Sequence, residues 1–438
     1  MVIRLRNQPE WKRDVGMKRL IHNHYHWVIA VVALLHLGIF VGFLNTAGIF
    51  VLPITQSMVI SRSSFSIASS FLFYLSASLA QIGASFVYRR FGYRKMICVG
   101  LLLVIISLLV IAFSKNYTVL CLGYTFLGIA FGVCGSTSTN WLIYEWFHRN
   151  RGLIWGLLTS VTGLGGSIWC LILQPIIQES GWRYAYIVAA ASICVVLLAN
   201  MLFTYNKPAD MGLLPYGDGE CVVKKIAPIY SRGCSFAELV RKPVFYLTVL
   251  VLFAIFLCIY TPYTALVPHL IGNGFADVEA AQLQSILLLA LATGKVVVGW
   301  LMDRVGVRRV TVLCCLGSVA AMLLLLVAAE YTQAFAAVVL YGFSLPIATV
   351  IVPTLTMDLF GYNSYVTVAG ILCAMVSAGN MVAGPIGNGV FDSTGSYTAA
   401  IWAAAIVMVL MVAVFGVICR QADKLKRQFE KETTFTHG

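Results

Sequence analysis

One lysine stands where a charge is most costly. Lys295 lies inside an apolar run at 281–302 and precedes Asp303 by eight residues. Eight residues are about 12 Å along a helix, which puts Lys295 near the middle of a membrane-spanning segment. Inserting a lysine there costs at least ~2.5–3.5 kcal/mol, so the residue marks a functional site by default. The chemistry it offers is anion binding, because a carboxylate offsets the desolvation of a lone buried ammonium. The rival account is a flexible stem that snorkels its ammonium to the nearest surface.

Weaker candidates surround it. Tyr260, Tyr263 and Thr264 share a helix face at i, i+3 and i+4. Asn45 and Asn380 are polar amides within apolar runs. Tyr260, Tyr263, Asn45 and Asn380 are candidates for lining a substrate cavity; ordinary interhelical hydrogen bonds are the alternative. His36 precedes Asn45 by nine residues, about 180° round a helix, and reads as a packing residue, as does Gln81. Glu145, Asp303, Arg304, Arg308 and Asp358 cluster at segment ends and are candidates for gating contacts. Exposed pairs worth ~0–1 kcal/mol each are the competing view. The chain carries no phosphate-binding loop, which excludes pumping by nucleotide hydrolysis on this chain. The twelve cysteines lack metal-ligand spacing and read as small apolar packing residues. The expectation is no catalytic residue, no metal and no cofactor.

The elements that position these residues are long apolar helices. The chain has 438 residues, 60% hydrophobic and 11% charged, too little charge for a soluble surface of this size. Twelve blocks reach the ~20 residues that a bilayer requires. They run at 27–50, 66–88, 95–113, 118–143, 152–177, 185–205, 245–271, 281–302, 309–329, 334–357, 366–390 and 398–418. The fold class is therefore all-α, a polytopic membrane protein of twelve transmembrane helices. The net charge of +13 does not indicate nucleic acid. Of 30 Lys and Arg, 26 fall in the two termini and the even-numbered loops, three in the odd-numbered loops (Arg62, Lys115, Arg183), and one is Lys295. That asymmetry places both termini in the cytoplasm.

Residues 206–244 are polar and hold Pro208, Pro215 and Pro228. The expected organisation is a cytoplasmic segment 1–26, a six-helix half 27–205, a cytoplasmic linker 206–244, a second six-helix half 245–418 and a tail 419–438. The halves repeat. At an offset of 214, Gly92 maps onto Gly306, Gly156 onto Gly370, Gly165 onto Gly379 and Gly181 onto Gly395. Glycines at three- to four-residue spacing, Gly128, Gly132 and Gly135 in the fourth block and Gly156, Gly163 and Gly166 in the fifth, read as close-packing stripes.

The run Gly299-Trp-Leu-Met-Asp303-Arg304-Val-Gly306-Val-Arg308-Arg309 resembles the loop signature G-x-L-x-D-R-x-G-x-R of the major facilitator superfamily; the first-half copy has Arg89 where Asp belongs. Trp146-Phe147 with Arg151-Gly152, Gly181-Trp182-Arg183, Lys207-Pro208 through Gly217, and Gly384-Pro385 through Asp392 resemble the branch of monocarboxylate transporters and oxalate/formate antiporters. The resemblance implies two parallel-repeat halves with substrate between them near the midplane. It also implies that the cation at this place in helix 8, here Lys295, holds a substrate carboxylate. Two departures stand out. No Lys or Arg occurs in 362–397, which speaks against a small dianion, and Leu291 replaces the Asp that monocarboxylate carriers use in proton coupling. The expected function is secondary transport of a small organic monoanion, possible proton coupling included, by a monomer in a microbial plasma (inner) membrane. Efflux of amphipathic drugs and a transport-dead sensor on the same fold are the alternatives. The partners are the anion and the lipid bilayer, and nucleic acid is not among them.

Overall fold

A computed structural model describes residues 25–147, 151–217, 236–347, 349–360 and 365–435. The basic segment up to residue 24 and the linker centre, 218–235, lie outside the described residues. Within the described chain the architecture is helical. Eleven helices are long and apolar enough to cross a membrane, and a broken twelfth completes the set.

In the first half, α1 runs as Tyr25–Leu44 and Ala47–Met58. α2 crosses at Arg62–Ala84, α3 is Tyr93–Ala112, and α4 is Tyr117–Cys134 continued by Ser136–Trp146. α5 is Arg151–Ser180 and α6 Trp182–Phe203. In the second half, α7 is Pro243–Gly272, α8 Asp277–Val305 and α9 Val307–Val327. α10 is split into Tyr331–Ser344 and Ile351–Phe360, α11 is Tyr365–Thr394 and α12 Thr398–Phe435.

Four helices differ from the continuous blocks expected at 27–50, 118–143, 334–357 and 398–418. α4 breaks at Gly135, whose backbone is extended between its two segments. α1 is longer and breaks at Asn45–Thr46, where backbone bonds close on i−3 and the Thr46 hydroxyl donates to the Phe43 carbonyl at 2.7 Å. α10 breaks over a short 3₁₀ turn at Leu345–Ile347. Pro346 explains it, since proline has no N–H to donate and its ring clashes with the preceding turn. α12 continues well past 418 into the expected tail, because its apolar run gives way to strong helix formers such as Lys and Arg rather than to a breaker.

The repeated glycines have a conformational reason. Gly92 (φ +78°), Gly181 (+84°), Gly306 (+90°) and Gly395 (+73°) all turn the chain with left-handed φ between consecutive helices. A side chain is strained there, so both halves need glycine at the same two turns.

The halves meet chiefly along α5 against α8, along α7 against the second part of α1, and at the start of α2 against α11. Between described residues, every hydrogen bond joining the halves lies at Lys295 or beyond it, toward the face opposite the termini. On the terminal face, the inner parts of α4 and α10 pack onto helices of their own half. The arrangement is closed on the opposite face.

Candidate functional site

The site starts from the break in α1. It leaves Asn45 and Thr46 on the wall of a cavity of about 140 Å³ between the halves. α1, α2, α4 and α6 supply one side, α7 and α11 the other. The walls are rich in aromatic rings, among them Phe43, Phe50, Tyr74, Tyr124, Tyr186 and Tyr260.

Four of the five sequence-predicted binding residues, Asn45, Tyr260, Tyr263 and Asn380, line this cavity. A polar strip connects them. The Tyr263 hydroxyl donates to the Asn45 carbonyl at 3.1 Å. Tyr260 and Tyr263 meet edge to face, with ring centroids 5.6 Å apart. Asn380 lines the cavity together with Tyr260 and Tyr74, and its Oδ1 is buried without a partner.

Lys295, the fifth, does not line the cavity; it sits one residue removed, on the terminal-face side of the midpoint of α8. Only 8% of it is exposed, so it does not reach a surface by snorkelling. Its ammonium donates to the Thr159 carbonyl at 2.6 Å and to the Thr162 hydroxyl at 3.1 Å, both on α5 of the other half. An ammonium has three donors, which leaves one N–H for another ligand. No carboxylate pairs with it among the described residues. The Thr162 carbonyl in turn accepts from the Asn45 amide at 3.2 Å, so the lysine joins the cavity through one threonine. Thr159, Thr162 and Tyr74 are the residues that sequence reasoning missed. Their only signal is their polarity within apolar helices, shared with many neighbours.

The approach of α5 to α8 depends on small residues. A Cβ at Gly163 would lie 2.6 Å from the Leu288 carbonyl oxygen. Beyond it, the hydroxyls of Ser167 and Ser285 bond at 2.7 Å. His36 is buried, with Nε2 2.7 Å from the Cys134 carbonyl, and lies apart from the cavity.

The gating candidates occupy the terminal face and are spread out. Arg308 bonds Asp358 at 2.5 Å and Asp423 at 2.8 Å, which ties α9, α10 and α12 within one half. Glu145 accepts from the Tyr88 hydroxyl at 3.3 Å. Arg304 lies over the Trp300 ring, 4.5 Å from its centroid, and Asp303 is exposed. The opposite face carries a cluster that went unread. Asp392 of α11 accepts from the backbone N–H groups of Arg62 and Ser63 at 3.2 and 2.9 Å, capping the start of α2 from the other half. Arg62 stacks 3.7 Å over Phe391 and donates to the Tyr397 hydroxyl at 3.1 Å. The Asn388 amide donates to Ser66 at 2.6 Å.

Comparison with known proteins places this geometry in a family. "Monocarboxylate transporter 12" of Xenopus laevis is 25% identical over 370 residues, covering 80% of this chain and 78% of that protein. The agnestins efflux protein of Paecilomyces divaricatus is 26% identical over 271 residues, 61% of this chain and 58% of that one. Among solved structures, a bacterial homologue of the human lysosomal transporter Spinster, inward-facing and unoccupied, superposes with a TM-score of 0.67 at 17% identity. That superposition covers 93% of this chain and 98% of the other, and it shows a shared fold. The Major Facilitator Superfamily profile matches residues 32–371 and again 265–436. With a twelve-helix repeat, a cavity between the halves and a profile match over most of its length, this multi-pass membrane chain belongs to the Major Facilitator Superfamily.

Proposed function

We propose that this transporter carries a small organic monoanion, of the monocarboxylate class, by alternating access between its two halves. One observation carries the reading: Lys295 is a buried cation without a carboxylate partner among the described residues, one threonine away from the interhelical cavity. A substrate carboxylate would take the remaining ammonium donor, and the apolar walls would hold its carbon body. The resemblance to monocarboxylate transporters supports the same class. Because Lys295 bonds α5 from α8, substrate binding acts on the contact between the halves. In this reading the termini are cytoplasmic, and the arrangement described faces inward with its outer side shut.

Uptake of labelled carboxylates into proteoliposomes tests the proposal. Lys295→Gln is expected to abolish saturable uptake while leaving a folded protein in the membrane. Lys295→Arg is expected to retain part of it and to flatten its fall at alkaline pH, because a guanidinium keeps its charge where an ammonium loses it. Full carboxylate transport by Lys295→Gln would sink the proposal. A second reading, efflux of an amphipathic compound, draws on the aromatic cavity and on the similarity to an efflux protein. It predicts instead that Lys295→Gln still exports an uncharged amphiphile at the full rate.

A further inference from the structure

The polar groups within the cavity specify more than a carboxylate, and what they specify rests on the anion reading above. Asn380 is 8% exposed and lines the cavity, and its Oδ1 is buried with no hydrogen-bond partner. Leaving such an acceptor unpaired forfeits its hydration with no hydrogen bond in return. Tyr74 and Tyr260 line the same cavity, whereas the Tyr263 hydroxyl is spent on the Asn45 carbonyl. Tyr74 and Tyr260 therefore have O–H groups to offer beside an acceptor that has none to receive. A ligand hydroxyl satisfies both, since it donates and accepts. An ammonium only donates, and a carbonyl only accepts.

Size narrows the ligand further. The cavity holds about 140 Å³. An apolar cavity of about 150 Å³ takes benzene. One ring, or a branched chain of similar bulk, therefore fills it, and a two- or three-carbon acid leaves most of it empty. The polar strip runs from Lys295 through Thr162, Asn45 and Tyr263 to Tyr260 and Asn380, so the cation and the orphan acceptor stand at its two ends.

We infer that the ligand is a ring-sized carboxylate bearing a hydroxyl remote from the carboxyl group, with Asn380 as the residue that selects for the hydroxyl. Titration calorimetry on the purified full-length chain at near-neutral pH tests this with benzoate and its 2-, 3- and 4-hydroxy derivatives. The 3- or 4-hydroxy compound is expected to bind about 10-fold more tightly than benzoate, the factor that one well-made hydrogen bond supplies. The 2-hydroxy compound bonds its own carboxylate internally and is expected to match benzoate. Asn380→Leu is expected to bring the affinity ratio close to one. Equal wild-type affinities overturn the inference without any variant, as does a preference that survives in Asn380→Leu. Lys295→Gln separates this inference from its foundation. If it weakens all four ligands while wild type shows no preference, the anion reading stands and the hydroxyl inference falls. If none of the ligands binds, or the variant changes nothing, both fall.

Discussion

Thr162 does two jobs with two atoms. Its hydroxyl accepts from Lys295 and its carbonyl accepts from Asn45, so it links the buried cation to the cavity wall. Hydrogen bonds to a charged group are worth about 1.5–3 kcal/mol, more than neutral ones. Thr162→Val keeps the shape and removes only the hydroxyl. The expected result is a several-fold rise in KM for the carboxylate with little loss of thermal stability, measured by uptake kinetics and melting on the same preparation. An unchanged KM would mean that the Thr159 carbonyl alone positions the ammonium. Asn45 illustrates the same economy on the wall, with its side chain holding α5 and its carbonyl holding Tyr263 of α7.

At the scale of elements, close helix approach decides which glycines matter. The sequence shows a stripe at Gly156, Gly163 and Gly166, yet its members differ once packed. A Cβ at Gly165, next to the stripe, would lie 1.9 Å from the Gly38 carbonyl oxygen of α1, and one at Gly166 2.9 Å from a Leu288 methyl of α8. Gly156 has nothing within 4 Å. Overpacking of this kind costs about 1–3 kcal/mol or more, whereas Gly to Ala at an open helical position gains up to ~1 kcal/mol. Gly165→Ala should therefore lower the melting temperature by several degrees, and Gly156→Ala should leave it unchanged or raise it. A reversed order would show that α1 and α5 approach differently in the membrane. Glycine repetition alone thus marks two separate needs, left-handed turns at four positions and backbone contact at others.

At the scale of the whole molecule, the opposite face is shut by a joint between α2 and α11. Asp392 caps α2 through two backbone N–H groups, and Arg62 returns the contact onto Phe391 and Tyr397. A carboxylate also suits the positive end of the α2 dipole. Caps of this type contribute about 1 kcal/mol, enough to shift a two-state equilibrium roughly five-fold. Asp392→Ala should raise the labelling rate of a cysteine placed at Val267, a residue buried against Gly48 near that joint, in an otherwise cysteine-free background. An unchanged rate would assign closure to the apolar contacts of α1 with α7 instead. The terminal-face charges play a different part in this arrangement, since Arg308, Asp358 and Asp423 brace one half internally rather than bridging two.

Much of this was legible in the sequence, for local reasons. Spans follow from apolar length, the two halves from glycines whose left-handed φ recurs at the same turns, and Lys295 from the cost of one charge in an apolar run. The cavity residues Asn45, Tyr260, Tyr263 and Asn380 could be picked out because two are amides within apolar runs and two share a helix face with Thr264 at i, i+3 and i+4 spacing. The tertiary structure decided what these residues touch. Lys295 finds Thr159 and Thr162 at separations of 136 and 133 residues, and no pattern within α5 marks those two threonines above its other hydroxyl residues, such as Ser160 and Ser167. Likewise Asp392 meets the start of α2 across 330 residues. Such contacts depend on how two six-helix halves are set against each other, and that depends on backbone approach distances, which a one-dimensional pattern of apolar and small residues leaves open.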